Sequence, residues 1–338
     1  MKDTDNIQIS VLITFYNQKD YVSECLKSVL GQKTDFSYEI LCGDNGSHDG
    51  TYEELLAWSE EYPDIIHVFR FDGDSVGSNE AIVRVSNCRY YLLNQANGRF
   101  ICFLDGDDYY CNENKLQKQY DVLNSDPTLS GCFHPLFLRF ADGSEPDKVL
   151  CNYSENAFVM PYKTYWGNMW SHVETFLFRN VFKENAIKIN NDFFDDNLIT
   201  AYFIRGGRIM YIPDPMSVYM QYDNSSWNGR SDKDKTVVNL LVYQESKRVL
   251  PELKCQCFTK CYDDIRSLYD SRNTDWNIKM DPKLILTEPV YKDTVRYKDS
   301  SAGFKVLYLL KWFLPIHFGK ILKKIMYNLG KHTWKYVK

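Results

Sequence analysis

The first hundred residues alternate between strand-like and helix-like segments, and this alternation constrains the fold more than any other feature of the sequence. Residues 7–14, 38–42, 65–71 and 100–104 are short apolar runs, which are typical of buried strands. Between them lie segments whose apolar residues recur at helical spacing, the last over residues 80–96. Strands separated by such helices form βαβ units. We therefore expect an α/β protein with a mostly parallel central sheet flanked by helices.

Two local patterns give more detailed expectations. Thr51 and Glu54 stand three residues apart before an apolar run, so we expect a capping box at the start of that helix. Residues 132–140 are expected to form one strand, and a helix is expected after Asp195 and Asp196. Beyond about residue 231 the pattern becomes helical and polar.

The charge of the chain is unevenly distributed. The net charge is −5, which argues against a nucleic-acid partner, but residues 304–338 hold eight lysines and no acidic residue. Without those lysines, residues 1–303 carry 32 basic and 45 acidic residues, a net charge of −13. Lysines interleaved with leucines and aromatics are typical of a helix lying on anionic lipid. The alternatives are a basic helix packed on the acidic globule and an oligomer contact.

The cysteine distribution, the N-terminal residues and the lengths of the apolar runs together predict the cellular compartment. The ten cysteines are thinly spread and lie mostly in apolar runs, which fits a reducing compartment better than a disulfide scaffold. The N-terminal residues 1–6 are polar, with no apolar signal segment behind them. No run of 18 apolar residues lacks a charge. We expect a cytoplasmic protein, peripheral on the inner face of the cell membrane.

Polar side chains follow three of the predicted strands, at residues 14–17, 44–45 and 105–108. In open α/β sheets, ligands bind beyond the carboxyl ends of the strands. A single acidic strand end usually caps the next helix, but three of them side by side favour one ligand site.

The motifs at these strand ends narrow the choice of ligand. The sequence lacks both the P-loop pattern and a G-x-G-x-x-G after its first strand, which counts against a triphosphate or dinucleotide loop. Asp105 and Asp107, two residues apart on a turn, have the spacing to share a hard cation such as Mg²⁺ or Mn²⁺. Such an ion bridges phosphates and stabilises a departing diphosphate.

Three segments, residues 9–17, 44–51 and 97–109, together resemble the family 2 glycosyltransferases of GT-A fold. These are inverting enzymes that use nucleotide-sugar donors. The resemblance is strong over residues 7–125 and looser to about residue 230, where it is similar to bacterial capsule and surface-polysaccharide enzymes. It implies a GT-A domain over residues 1–230, followed by a helical C-terminal region over residues 231–338. Residues 1–125 would be its nucleotide-sugar-binding half and residues 126–230 its acceptor-binding half.

The resemblance also implies roles for individual residues. Thr14 and Asp44 would line the uridine pocket, with Asn45 beside them. Asp105 would face the ribose and the metal. Further contacts to the donor would come from Tyr16, Asn17 and Gly106. The principal ligand of Mn²⁺ or Mg²⁺ would be Asp107.

The catalytic base is expected in the second half, because inverting transfer needs a carboxylate that takes the proton of the acceptor hydroxyl. By resemblance Asp195 is favoured and Asp196 is its rival; the alternative for either is to cap the following helix. His172 would contact acceptor or donor, or would be a structural histidine. Trp227 would stack on a sugar or pack in the core.

The sequence therefore predicts transfer of a sugar from a UDP-sugar to a saccharide or lipid-linked acceptor in bacterial surface-polysaccharide synthesis. Two other readings remain. A nucleotidyltransferase would need a glycine-rich basic loop after the first strand, and residues 14–18 are not one. An inactive sugar-nucleotide-binding or scaffold subunit would lack the metal carboxylates or the base, yet Asp105, Asp107 and Asp195 are all present.

Overall fold

The computed structural model describes residues 7–71, 81–144, 147–182 and 194–222, with 235, 238, 239, 242, 245, 246, 248 and 250–253. The strands are β1 Ile7–Phe15, β2 Ser37–Asp44, β3 Ile66–Arg70, β4 Phe100–Asp105, β5 Tyr109–Tyr110, β6 Leu129–Phe133, β7 Leu136–Phe140, β8 Lys148–Leu150, β9 Phe158–Pro161, β10 Leu177–Arg179, β11 Arg208–Tyr211 and β12 Ser217–Gln221. The α-helices are α1 Lys19–Leu30, α2 Thr51–Glu61, α3 Ala81–Gln95, α4 Lys115–Ser125, α5 Tyr162–Asn168 and α6 Asp196–Ile204. Short 3₁₀ helices span Val173–Thr175 and Pro251–Leu253.

The larger sheet has the strand order β3-β2-β1-β4-β10-β6-β11-β9. Its first four strands are parallel, and β10 runs antiparallel between β4 and β6. The strand order reverses at β1, which lies between β2 and β4. In such folds the reversal opens a crevice at the carboxyl ends of the strands. The predicted α/β fold with a mostly parallel central sheet is confirmed.

Burial explains why the core strands are continuous apolar runs. In β1, residues 9–15 are all buried, and β4 is buried over residues 100–104. A strand covered by helices on both faces has no solvent side, so its sequence does not alternate. Helix α1 buries one stripe against the sheet, at the i, i+3, i+4 and i+7 spacing of Val22, Cys25, Leu26 and Val29.

Two local predictions are wrong. Residues 132–140 do not form one strand, because the chain breaks at His134 and Pro135 between β6 and β7, which belong to different sheets. Proline has no N–H to continue a ladder. The capping box is also absent: Gly50, at φ 95°, is the N-cap of α2. The carboxylate of Glu54 instead accepts a hydrogen bond of 3.2 Å from Nε1 of Trp58.

The smaller sheet, in the order β5-β12-β7-β8, stands beside the point where β4 ends. Strand β12 pairs antiparallel with β5 and parallel with β7. Because β5 begins four residues after β4 ends, this sheet fixes the path of the acidic turn between them.

The chain forms two compact units, residues 1–160 with 171–229, and residues 161–170 with 230–338. Apart from Trp227, which lies outside the described residues, every predicted site residue belongs to the described part of the first unit. In the second unit the structure describes α5, the 3₁₀ helix Pro251–Leu253 and scattered helical residues. The lysine-rich segment from residue 304 lies outside the described residues. Within the described part of the chain, no helix is both long enough and apolar enough to cross a bilayer.

Candidate functional site

The polar ends of β1 and β4 meet as predicted. Thr14 and Asp105 are partners in the β1–β4 ladder, and Oγ1 of Thr14 donates a 3.3 Å hydrogen bond to Oδ1 of Asp105. The amide of Gly106 then donates to the carbonyl of Thr14 at 3.0 Å. A Cβ at Gly106 would lie 2.2 Å from Cδ1 of Phe15, so this close approach of the two strand ends requires glycine.

The end of β2 lies on the other side of β1, where Asp44 pairs with Phe15 in the ladder. Asp44 is fully buried, and its carboxylate accepts hydrogen bonds of 3.2 Å from the amides of Gly46 and Ser47. Nε of Arg70 lies 3.8 Å from its Oδ2. The carboxylate of Asp44 therefore holds the turn after β2 together, beneath the surface of the site.

Asn45 and Asn17 join the loops after β1 and β2. The amide of Asn45, which is also buried, donates to the carbonyl of Phe15 at 2.9 Å. Asn17 adopts φ 51°, a conformation that asparagine tolerates better than most residues. Its side-chain Oδ1 accepts from the amide of His48 at 2.9 Å, and its own amide donates to Oγ of Ser47 at 2.9 Å. These bonds fix the rim of the site between the two strand ends.

Tyr16 is the exposed aromatic residue of this rim, with 39% of its surface accessible. The guanidinium of Arg84, from α3, lies 4.5 Å from the centre of its ring, a cation–π distance. The rim thus offers both an aromatic face and a positive charge.

Arg89, also on α3, connects the acidic residues of the site. Its Nη2 lies 2.7 Å from Oδ1 of Asp105, and its Nη1 lies 2.7 Å from Oδ1 of Asp196. Burial lowers the pKa of Arg89, but the charges of Asp105 and Asp196 outweigh it and raise that pKa, so the guanidinium stays charged. Burial raises the pKa of Asp105, whereas Arg89 foremost lowers it, and the net direction is below the usual range.

Asp107 and Asp108 follow on the turn between β4 and β5 and face different surroundings. Asp107 is half-buried, and burial foremost, with the charge of Asp105 next, raises its pKa to about 7. Asp108 is 1% exposed, and its Oδ1 accepts a 2.8 Å hydrogen bond from the amide of Met220 in β12. Burial, and then the charge of Glu174, hold the pKa of Asp108 well above its usual range.

His172 lies between two carboxylates. Its Nδ1 is 3.5 Å from Oε2 of Glu174, and its Nε2 is 3.7 Å from Oδ2 of Asp196. Its ring stacks on Tyr219, with centroids 4.6 Å apart. Burial lowers the pKa of His172, but Glu174 foremost raises it, to about 9 in total. His172 is therefore positively charged at neutral pH.

Asp195 and Asp196, the two predicted candidates for the base, have different partners. Asp195 is the N-cap of α6: its Oδ1 accepts from the amide of Leu198 at 2.9 Å and its Oδ2 from Nδ2 of Asn197 at 3.2 Å. Burial foremost, and then the charge of Asp196, raises the pKa of Asp195 to about 7. Asp196 instead faces Arg89 and His172, and its side chain keeps 24% of its surface accessible.

The carboxylates at the end of β4 fit a divalent cation, whereas His172 would have to lose its proton to serve as a third ligand. Single ligand atoms of Asp105, Asp108 and His172 all lie within 4.8 Å of one another. Carboxylate oxygens are the ligands that Mg²⁺ and Mn²⁺ prefer. The group of three contains Asp108 and not Asp107, the expected principal ligand, although Asp107 adjoins it on the same turn.

Three residues of this site were missed in the sequence: Arg84, Arg89 and Glu174. Arg89 lies in α3, for which the sequence predicted only a helix with one apolar face. Glu174 follows His172 by two residues, on a 3₁₀ turn. A buried charge inside an apolar helix face was the available signal for Arg89. Glu174 is fully buried and accepts a 2.9 Å hydrogen bond from Oγ of Ser217, a partner distant in the chain.

Comparison with known proteins finds a family match over the first part of the chain. The model of the family described as Glycosyl transferase family 2 matches residues 10–135. An uncharacterised protein of Mycobacterium tuberculosis is 26% identical over 231 residues, which are 65% of this chain and 60% of that protein. This chain therefore spans less than two thirds of that relative. The putative teichuronic acid biosynthesis glycosyltransferase TuaG of Bacillus subtilis is 30% identical over 145 residues, 42% of this chain and 52% of TuaG.

A solved structure shows the same fold. The crystal structure of S. aureus TarS 1–349 in complex with UDP-GlcNAc superposes with a TM-score of 0.59 at 16% identity. The match covers 97% of this chain and 92% of that chain. The predicted GT-A fold is confirmed.

Proposed function

We propose, since residues 10–135 match the model of the glycosyl transferase family 2, that this chain transfers a sugar from a UDP-sugar to a saccharide or lipid-linked acceptor in the synthesis of a bacterial surface polysaccharide. One observation carries this proposal. Asp105, at the end of β4 and hydrogen-bonded to Thr14 of β1, is joined through Arg89 to Asp196 at the start of α6. Donor-side and acceptor-side chemistry can therefore meet at one point.

The donor would bind along the carboxyl ends of β1, β2 and β4. The exposed Tyr16 ring, with the Arg84 guanidinium lying over it, would offer a base an aromatic surface and a positive charge. Thr14, Asn17 and Asn45 would shape the nucleoside pocket, while Asp44 would act mainly by holding the turn that forms its wall. TarS, which shares the fold, was solved with UDP-GlcNAc, and this supports a UDP-sugar donor.

The diphosphate would lie over the turn at residues 105–108. The carboxylates of Asp105 and Asp107 lie on this turn, so a bare diphosphate would be repelled. Asp105 and Asp107 would hold a Mn²⁺ or Mg²⁺ ion, which would supply positive charge to offset that of the diphosphate and of the departing UDP. The amide of Gly106 is engaged by Thr14, so it supports the turn and not the phosphates.

Asp196 would be the general base. The acceptor hydroxyl oxygen forms a bond to C1 of the sugar, the bond from C1 to the diphosphate oxygen breaks, and the hydroxyl proton passes to the Asp196 carboxylate. Attack from the side opposite to the diphosphate inverts C1. We favour Asp196 over Asp195 because both carboxylate oxygens of Asp195 accept hydrogen bonds within the cap of α6.

The lysine-rich segment at residues 304–338 would hold the enzyme on the cytoplasmic face of the membrane, where a lipid-linked acceptor resides. This segment contains eight lysines and no acidic residue, and the lysines are interleaved with leucines and aromatics. Each basic side chain near an anionic surface contributes about 1 kcal/mol.

The test is a donor and acceptor screen with the full chain. Purified protein is incubated with a panel of UDP-sugars, and with GDP-mannose as a control, in Mn²⁺ and a bacterial membrane-lipid extract. UDP release and sugar incorporation into lipid are both measured. Turnover with one UDP-sugar supports the proposal. A folded protein that releases no nucleotide from any donor, with or without extract, contradicts it and favours a scaffold role.

A further inference from the structure

Arg89 ties together two carboxylates that are far apart in the sequence. Asp105 ends β4, in the half of the domain expected to bind the donor, and Asp196 begins α6, in the half expected to bind the acceptor. One guanidinium reaches both, each at 2.7 Å and each through a different terminal nitrogen.

The bridge differs from an ordinary surface ion pair. The Arg89 side chain is 5% exposed, whereas those of Asp105 and Asp196 are 28% and 24% exposed. Burying a guanidinium has a large desolvation cost, which only good geometry with its partners offsets. Here the cation is buried beneath the site while both anions remain open to it, so the buried member orients the two accessible ones.

The contacts of each carboxylate are directional. Oδ1 of Asp105 accepts both from Arg89 and from Oγ1 of Thr14. Oδ1 of Asp196 accepts from Arg89, while its Oδ2 faces His172 at 3.7 Å. Each carboxylate is thus held on its Oδ1 side, and its plane is fixed relative to the other.

We propose that Arg89 is a positioning residue, which sets the distance and orientation between the donor-side Asp105 and the acceptor-side Asp196. This inference rests on the proposed function, because it assigns Arg89 no contact with either substrate. Its effect is to keep the base aligned with C1 of a donor held at Asp105. Misplacement of a reacting group by about 1 Å costs on the order of 100-fold in rate.

The role depends on the shape of the guanidinium as well as on its charge. Two terminal nitrogens on one rigid plane can bond two carboxylates at once in fixed directions. A lysine ammonium keeps the charge, but it is a single donor point on a flexible chain. Arg89→Lys therefore separates positioning from simple neutralisation of the acidic site.

The experiment compares Arg89→Lys with Arg179→Lys in the full chain. Arg179 pairs with Phe100 at the start of β4, away from the site at the end of that strand. It donates from Nε to the carbonyl of Leu129 at 2.7 Å and from Nη2 to that of Asp126 at 3.0 Å. Both variants are measured for melting temperature, for the dissociation constant of UDP with Mn²⁺, and for kcat and donor KM. The same substitution is thus made inside and outside the site.

For Arg89→Lys we expect kcat to fall about 100-fold while donor KM and the UDP dissociation constant stay within about threefold. Arg179→Lys should lower the melting temperature and leave kcat and KM unchanged. In Arg89→Ala, added guanidinium ion at millimolar concentration should recover at least about tenfold of the lost kcat, and ammonium should not. If the alanine variant does not fold, the lysine variant alone decides.

Two results would overturn the inference. One is a kcat of Arg89→Lys within about threefold of wild type. The other is a loss of kcat accompanied by an equal fold-loss in UDP affinity and by a lower melting temperature. Wild-type protein, measured in parallel, separates the two proposals. If wild type binds UDP and turns over while Arg89→Lys is unaffected, only the positioning role fails. If wild type neither binds nucleotide nor turns over, the proposed function fails and the positioning role fails with it.

Discussion

Oδ1 of Asp195 accepts a 2.9 Å hydrogen bond from the backbone amide of Leu198, which makes Asp195 the N-cap of α6. Its neighbour Asp196 is turned toward Arg89 and His172. The two adjacent aspartates thus have different partners, one within the helix cap and one in the ionic network of the site. This difference is the reason for proposing Asp196 as the base.

The first prediction compares Asp196→Asn with Asp195→Asn. General-base catalysis contributes on the order of 100- to 10,000-fold, so Asp196→Asn should lower kcat at least about 100-fold. Asparagine caps helices about as well as aspartate, so Asp195→Asn should keep kcat within about threefold. Initial rates of sugar transfer check both. The reverse pattern would identify Asp195 as the base: an unchanged kcat in Asp196→Asn and a kcat at least about 100-fold lower in Asp195→Asn.

The second prediction concerns the metal and the neighbours Asp107 and Asp108. Asp107 is half-buried at the acidic turn, whereas Asp108 is buried and accepts the amide of Met220, a bond that an asparagine oxygen can also accept. Asp107→Asn should abolish the gain in UDP affinity that Mn²⁺ provides, and Asp108→Asn should retain it. Calorimetry of UDP with Mn²⁺ and with EDTA measures the gain. Loss in Asp108→Asn alone would make Asp108 the ligand, as its proximity to Asp105 and His172 allows.

The third prediction is a pH dependence of stability that originates at His134. Burial foremost, and then Lys115, lowers the pKa of His134 well below its usual value, so the folded protein keeps this ring neutral. Below about pH 6.5 the unfolded chain takes up a proton that the folded chain does not, and the free energy of unfolding falls by up to about 1.4 kcal/mol per pH unit.

Urea unfolding of wild type and His134→Leu from pH 7.5 to 5 checks this effect. The difference in unfolding free energy between the two should shift in favour of the variant as the pH falls below 6.5. A difference that is constant over this range would show that His134 titrates alike in both states.

The fourth prediction concerns membrane binding by the lysine-rich segment, which is inferred from its sequence. A chain ending at Ser301 should lose binding to phosphatidylglycerol vesicles and keep hydrolysis of the donor. Salt should weaken the binding of the full chain, because screening acts on charges at the lipid surface. Phosphatidylcholine vesicles serve as the control. Equal sedimentation of both chains with anionic vesicles would contradict the membrane role.

The fold and part of the site were predictable because they depend on local patterns. The parallel β1–β2–β4 core follows from apolar runs separated by amphipathic helices, and Thr14 meets Asp105 because their strands end side by side. The strand break at His134 and Pro135, and the antiparallel β10 between β4 and β6, depend on tertiary pairing that local periodicity does not encode. Arg89 and Glu174 were missed for a similar reason. Arg89 is 16 and 107 residues from its partners Asp105 and Asp196, and Glu174 is 43 residues from Ser217. A single sequence does not reveal such distant pairs.

We propose that the carboxyl ends of β1, β2 and β4 form a metal-dependent nucleotide-sugar site. Calorimetric titration of the full chain with UDP, in Mn²⁺ and in EDTA, tests this proposal, with GDP as the competing nucleotide. We predict saturable UDP binding in Mn²⁺, weakened at least about tenfold by EDTA, since the acidic turn repels an unneutralised diphosphate. Folded protein that binds neither UDP nor GDP under either condition would contradict the claim.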